Sequence, residues 1–204
     1  MTAQNRDFHG ASQEREAVDL AQYTTGGFYR GRPALVELAW LFAQALFVSS
    51  WLPGSLQRRF LLRLFGANLG KGVVIKPGVR VKFPWRLSVG DHSWIGEDVW
   101  IDNLEIVEIG KNCCLSQGAY LCTGNHDWSS HGFDLLAKPI VIDDCVWIAA
   151  KARVASGLRL GTGSVLGLGS VATADLAPWT IYKGMPAVAV RERQITEAVA
   201  SKGR

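Results

Sequence analysis

The chain has 204 residues, 48% of them hydrophobic, with 22 basic against 18 acidic side chains and a formal net charge of +4. That is ample for one domain with appendages, and the modest, dispersed charge lacks the dense Lys/Arg blocks with interleaved aromatics of nucleic-acid binders. The four cysteines (Cys113, Cys114, Cys122, Cys145) have neither zinc spacing nor the look of a secreted disulfide framework, so reduced thiols in a cytoplasmic protein are expected.

In chain order, residues 1–32 read as an irregular polar arm of mixed charge (Asp7, Glu14, Arg15, Glu16, Asp19), unlike a signal peptide, with His9 a surface residue. Residues 33–65 read as a helical segment. Pro33 opens an apolar run from Ala34 to Leu52, Pro53-Gly54 stops it, and an amphipathic stretch from Leu56 to Phe65 carries Arg58, Arg59 and Arg63. The apolar run has nineteen residues, long enough for a span, but Glu37, Gln44, Ser49 and Ser50 lower its hydrophobicity. The expectation is a helix packed on the rest of the protein or lying in a membrane interface, with Trp40, Phe47 and Trp51 suited to either place.

From 66 to 175 an aliphatic side chain recurs every sixth residue: Leu69, Ile75, Val81; Val89, Ile95, Ile101; Ile109, Leu115, Leu121; and Ile142, Ile148, Val154, Leu160, Leu166. Four residues after each stands a mostly small or apolar side chain, such as Val73, Val79, Ser93, Val99, Cys113, Ala119, Val146, Ala152, Ser164 and Ser170. A period of six is neither helical nor alternating. It predicts an all-β fold, a parallel β-helix solenoid of short strands and tight turns, three hexads to a coil, each aliphatic residue stacked on its equivalent about 4.7–4.9 Å away. Two irregularities interrupt it: a bulged corner at Lys82–Leu87 holding Phe83-Pro84-Trp85, and an extruded loop at 124–138. Residues 176–204 lose the step and end in a short C-terminal helix expected from Arg191 to Ala200, a cap for the open prism.

A loop that breaks a regular solenoid is where function is expected. This one begins Thr123-Gly124-Asn125-His126-Asp127-Trp128 and contains His131. With the restart Pro139-Ile140-Val141-Ile142, then Val146-Trp147-Ile148, and the ending Lys183-Gly184-Met185-Pro186-Ala187, the chain resembles the hexapeptide-repeat acyltransferases. The stretch Ser116–Asp127 and the leading apolar helix are similar to the colanic-acid-biosynthesis-type acetyltransferase branch. The resemblance implies a left-handed β-helix, a homotrimer with active sites between subunits, acetyl-CoA as co-substrate, and a sugar hydroxyl in polysaccharide biosynthesis as acceptor.

His126 matches the family's catalytic histidine. An alcohol is a weak nucleophile near neutrality, and an imidazole within hydrogen-bond reach can take its proton as it attacks a thioester, an effect of about 10²–10⁴ in rate. Asp127, Asn125 or a backbone carbonyl would orient the ring; Asp102 and Asn103 are acceptor-facing candidates or simple turn formers. Phe83, Trp85 and Trp100 could stack on a sugar or pack the corner. For acetyl-CoA the resemblance implies Trp147, Ala149, Ala150, Gly167 and Leu168 along the pantetheine arm, Lys183 and Arg191 at the phosphates, and backbone N–H groups near Ala149 at the oxyanion. Ala150 stands where Ser is frequent, Ala174 where Lys is, and Val188 where Lys or Arg is, which leaves Lys151, Arg153 or Arg159 as other phosphate partners. His131 and His92 read as surface residues, and no group has metal-ligand spacing. Two other readings stay open: acetylation of a small amine or alcohol such as an amino sugar or serine, and a non-catalytic β-helix binding protein. The address is cytoplasmic, with peripheral contact to the inner membrane face through 34–52 as an option.

Overall fold

The computed structural model describes residues 18–196, so His9 and the end of the expected tail helix lie outside the described residues. The described residues form two compact units: 29–125 with 136–196, and 18–28 with 126–135.

The larger unit is a parallel β-solenoid with three faces. On the first, Leu69, Val89, Ile109, Ile142 and Leu160 stand in register. On the second it is Ile75, Ile95, Leu115, Ile148 and Leu166. On the third it is Val81, Ile101, Leu121, Val154 and Ala172. Apart from Ala172, one step beyond Leu166, these are the residues of the six-step ladder, and they form one continuous buried core. Parallel pairing lets each inward side chain meet its equivalent in the next coil, so every layer buries the one before it.

At the corners the chain needs a left-handed residue. Glycine supplies it at Gly163 (φ +69), where an added Cβ would lie 2.6 Å from the Trp179 ring. Elsewhere polar residues take the same conformation, among them His92 (φ 59), Asp98 (φ 57) and Asn112 (φ 55).

Coil length follows a simple rule. Register partners on the first face are twenty residues apart from Leu69 to Val89 and from Val89 to Ile109, but eighteen apart from Ile142 to Leu160. The surplus sits each time between the third face and the first: Val81 to Val89, Ile101 to Ile109, and, much enlarged by the loop, Leu121 to Ile142. One corner therefore absorbs every length change.

Two helices precede the solenoid. Helix α1 (Ala34–Ala43) continues into a π-helical turn (Gln44–Val48), and α2 spans Leu56–Leu64. The apolar run thus ends its helix at Val48, and among the described residues no helix is long and apolar enough to cross a membrane. Trp40, Val48 and Leu62 join the core. The helices also satisfy the first coil's open edge, where backbone groups have no preceding coil to bond. Trp40 Nε1 donates to Val81 O (2.9 Å), Ser49 Oγ to Val79 O (2.9 Å), and Arg63 Nη2 to Leu69 O (2.8 Å). In return Gln44 Oε1 accepts from Val81 N (2.6 Å) and Ser55 Oγ from Ile75 N (2.8 Å).

The other end differs from expectation. Thr180–Gly184 adds a parallel strand to the second face, and Ala187–Glu192 returns antiparallel beside it. Arg191 and Glu192 close that last strand, so no helix begins at Arg191. The hairpin wins because it pairs the free edge left by Val165–Leu166, which a helix could not do.

Cys113 is buried in the small-residue ladder, its thiol 3.0 Å from Asp143 O. Burial pushes its pKa up to about 11. Since the folded value exceeds that of a free thiol, the stability this site contributes is complete below about pH 9 and is lost as pH rises toward about 11. Iodoacetamide at pH 8, read by peptide mass spectrometry, should leave Cys113 unmodified until the protein is unfolded.

Candidate active site

The smaller unit carries His126. Gly124–His126 and Leu135–Ala137 form a two-stranded sheet, and between them the chain turns tightly, with Asp127 N bonded to Asp134 O (2.8 Å) and Phe133 N to Ser130 O (3.1 Å). Phe133 takes a left-handed conformation (φ 52) and lies flat on the His126 ring, centroids 4.4 Å apart at 8°. The same residue's carbonyl oxygen is 3.0 Å from His126 Nδ1. A carbonyl can only accept, so Nδ1 carries the proton and Nε2 keeps its lone pair. That is the tautomer a general base requires.

Of the residues expected to orient the ring, Asp127 does something else. Its carboxylate accepts from the Ser129 N–H (3.0 Å) and the Ser129 hydroxyl, and the hydroxyl bond holds its carboxyl below the usual carboxylate range. It caps a turn. Asn125 is exposed on the strand leading to His126. The Phe133 carbonyl bonds the ring at Nδ1, through a residue in a left-handed conformation that no spacing signals.

The described part of the arm packs on this loop. Asp19 N donates to His131 O (3.0 Å), Thr24 Oγ1 to Asp134 Oδ1 (3.2 Å), and Gln22 Nε2 lies 3.4 Å from His131 Nε2. Tyr23 stands beside His126, ring centroids 5.8 Å apart. His131 is thus a fastening point for the arm.

The larger unit carries a groove of about 620 Å³ along the second face. It brings together all the residues expected at the cofactor: Trp147, Ala149, Ala150, Gly167, Leu168, Lys183 and Arg191. Ser116 Oγ accepts from Trp147 Nε1 (2.9 Å) and fixes the indole as one wall. Lys183, Arg191 and Arg193 give the groove three cations, and among the described residues no carboxylate lines it. Arg193, which the sequence reading passed over, is anchored on Cys145 O (2.8 Å) and Gly163 O (3.0 Å). Arg159 lies on another face and is paired with Asp143 (2.7 Å), and Arg153 lies on the third face.

The Ala149 N–H is not available for an oxyanion, because it donates to Leu166 O (2.8 Å) as part of the coil-to-coil ladder. Among the described residues the next amide, Ala150 N–H, donates to no other group of the chain, and the same holds one coil on for Leu168. Ala150 is the unbonded amide beside Trp147 and Ala149 in the groove.

Asp102 lies at a third place, in a cleft of about 310 Å³ with Arg80, Lys82, Phe83 and Trp100. Lys82 Nζ is 3.0 Å from Asp102 Oδ1, and Tyr120 Oη donates to Oδ2 (3.3 Å). Burial holds the Tyr120 phenol well above the usual tyrosine range, so it stays a donor. Arg80 stacks over Trp100 (4.4 Å), which packs on Tyr120 (4.7 Å). Asn103 is no acceptor contact: it is fully buried, accepts from Phe83 N (3.0 Å) and donates to Phe83 O (2.7 Å). That pair clamps the bulged corner, and Phe83, largely buried against Trp85 (5.1 Å), adds to one wall of the cleft. Among the described residues no group of three or more His, Cys, Asp or Glu could hold a metal ion.

No family model matches the chain. Sequence comparison finds a protein of Escherichia coli K12, "Putative colanic acid biosynthesis acetyltransferase WcaF", 42% identical over 181 residues, 88% of this chain and 99% of that protein. The chain belongs to the hexapeptide-repeat acetyltransferase family. This acetyltransferase is also 26% identical to the galactoside O-acetyltransferase of Escherichia coli K12 over 140 residues, 67% of this chain and 68% of the relative. In fold it matches the hexapeptide-repeat containing acetyltransferase of Vibrio cholerae in its acetyl-CoA complex, with a TM-score of 0.71 and 24% identity, covering 79% of this chain and 88% of the other. The solenoid agrees with the left-handed β-helix of these acetyltransferases.

Proposed function

We propose that this protein transfers the acetyl group of acetyl-CoA to a sugar hydroxyl in polysaccharide biosynthesis. The observation that carries the reading is the 42% identity that runs through 99% of WcaF. The acetyl-CoA complex of the Vibrio cholerae relative supports the donor, and the galactoside O-acetyltransferase supports a sugar acceptor.

In this mechanism His126 Nε2 takes the proton of the sugar hydroxyl as its oxygen attacks the thioester carbonyl carbon. The tetrahedral oxyanion receives the unused Ala150 N–H. The C–S bond then breaks, the O-acetyl sugar leaves, and the thiolate takes the proton back from the imidazolium. The Phe133 carbonyl steadies the imidazolium by accepting from Nδ1–H. Trp147, Ala149, Gly167 and Leu168 would hold the pantetheine arm, and Lys183, Arg191 and Arg193 the phosphates. Asp102 would meet the acceptor. The reading includes a homotrimer, a cytoplasmic address and peripheral membrane contact through 34–52.

The test is release of free coenzyme A thiol from acetyl-CoA across a panel of sugars, with products treated with mild alkali. Sugar-dependent release and an alkali-labile acetyl ester are expected, with no effect of chelators. An alkali-stable acetamide would point to the amine-acceptor reading, and no release with any acceptor would favour a non-catalytic binding protein. The double variant Lys183→Ala/Arg191→Ala should raise KM for acetyl-CoA by roughly tenfold or more with kcat little changed, because distant phosphate contacts act alike in ground and transition states.

A further inference from the structure

The outward faces of the helical cap are apolar. On α1 and its π-turn, Leu35, Phe42 and Leu46 are exposed, Leu35 to 80%. Trp51 in the connection is 83% exposed, and on α2 Phe60 and Leu64 are 65% exposed. The spacing is helical, so each helix shows water the kind of stripe that a surface helix normally buries. The inward stripe, with Trp40, Val48 and Leu62, is already used by the core. Large apolar side chains exposed along a helix face mark an interaction site.

Charge identifies the partner. Between Tyr29 and Lys76 there are seven Lys and Arg against one Glu, while the rest of the chain has fifteen against seventeen. Arg58 is buried and Arg30 pairs with Glu37, which leaves Arg32, Arg59, Arg63, Lys71 and Lys76 as surface cations with no acidic side chain in that segment to offset them. On α2, Arg59 and Arg63 interleave with Phe60 and Leu64. Apposing two copies of so basic a cap brings like charges together. Anionic headgroups attract it, while apolar side chains enter the acyl boundary and arginine stems reach back to phosphate. Trp51 and Phe60 are suited to that interface.

We infer that the two-helix cap docks on the surface of an anionic lipid bilayer, lying on it rather than crossing it. The inference deepens the peripheral contact of the proposed function by naming the lipid class and the docking side chains, and it does not depend on acetyl transfer.

The test is co-sedimentation of the full chain with vesicles of phosphatidylcholine alone, and of phosphatidylcholine with roughly 30% phosphatidylglycerol. Wild type should bind the anionic vesicles, weaken with salt, and bind the neutral ones about tenfold less. Leu35→Asp/Phe42→Asp should lose about tenfold in anionic-vesicle binding, with an unchanged circular dichroism spectrum and unchanged acetyl transfer to a soluble sugar. Wild type left in the supernatant with both vesicles would overturn the inference. So would a variant that binds like wild type, or a concentration-dependent larger species, dispersed by the variant, without vesicle binding. The vesicle assay contains no acyl donor, so its failure and failure of the transferase reading are separate results.

Discussion

His126→Ala is expected to lower kcat for acetyl transfer by about 10²–10⁴, the usual worth of a general base. The protein should keep its circular dichroism spectrum and its sedimentation behaviour. The ring's support explains the size of the effect. With Phe133 O fixing Nδ1–H and the Phe133 ring stacked at 4.4 Å, the imidazole is held in one tautomer and one orientation. Phe133→Leu retains the carbonyl and loses the stack, so its loss in kcat should be much smaller than that of His126→Ala. Steady-state release of coenzyme A, measured with sugar saturating, separates the two. Near-normal turnover in His126→Ala would remove the histidine from the mechanism altogether.

Arg58→Met should destabilise the fold by roughly 3–5 kcal/mol, the scale seen when one partner of a buried charged network is removed. Arg58 is completely buried and, among the described residues, forms no salt bridge; its guanidinium serves backbone carbonyls instead. Nε donates to Val48 O (2.8 Å), Nη2 to Ser50 O (2.7 Å) and Leu52 O (2.7 Å), and Nη1 to Gly54 O. These carbonyls lie where the π-turn ends and the chain crosses to α2. Methionine fills much of the volume but takes the donor away from Val48, Ser50 and Leu52, while Gly54 O keeps Gln57 Nε2 (3.2 Å). Arg58→Lys should rescue only part, since a single ammonium cannot span the fork. Thermal melts of the two variants should fall below wild type by roughly 10 °C for methionine and by less for lysine. Equal melting temperatures for wild type and Arg58→Met would show that water replaces the guanidinium at no cost.

The solenoid was legible because its period is set by geometry: a stack of short strands puts an aliphatic residue inward at every sixth position, and Leu69 through Leu166 obey it. That Trp147, Ala149, Gly167, Leu168, Lys183 and Arg191 would share one surface was legible too, and they line a single groove. What failed depends on backbone bonds that spacing does not report. Asn103 and Asp102 are adjacent, yet one is spent on Phe83 and the other lines a cleft. Ala149 and Ala150 differ only in which N–H the next coil consumes. The tail strand could not be read because an amphipathic sequence of its length suits helix or hairpin, and the free edge of the second face decided between them. Nor did any pattern foretell the arm fastened to the loop at His131, since both segments lack a period.

The single corner that takes up every difference in coil length has an evolutionary corollary. Residues added or removed between the third and first faces leave each aliphatic layer in place, as Val89 and Ile109 still pair in register across the surplus. Loops of many sizes can be grafted there without disturbing the stack, whereas one residue inserted at either other corner would shift the hexads that shape the Trp147 groove. Descendants of this scaffold are thus free to vary that corner while inheriting the layers behind the Trp147 groove unchanged.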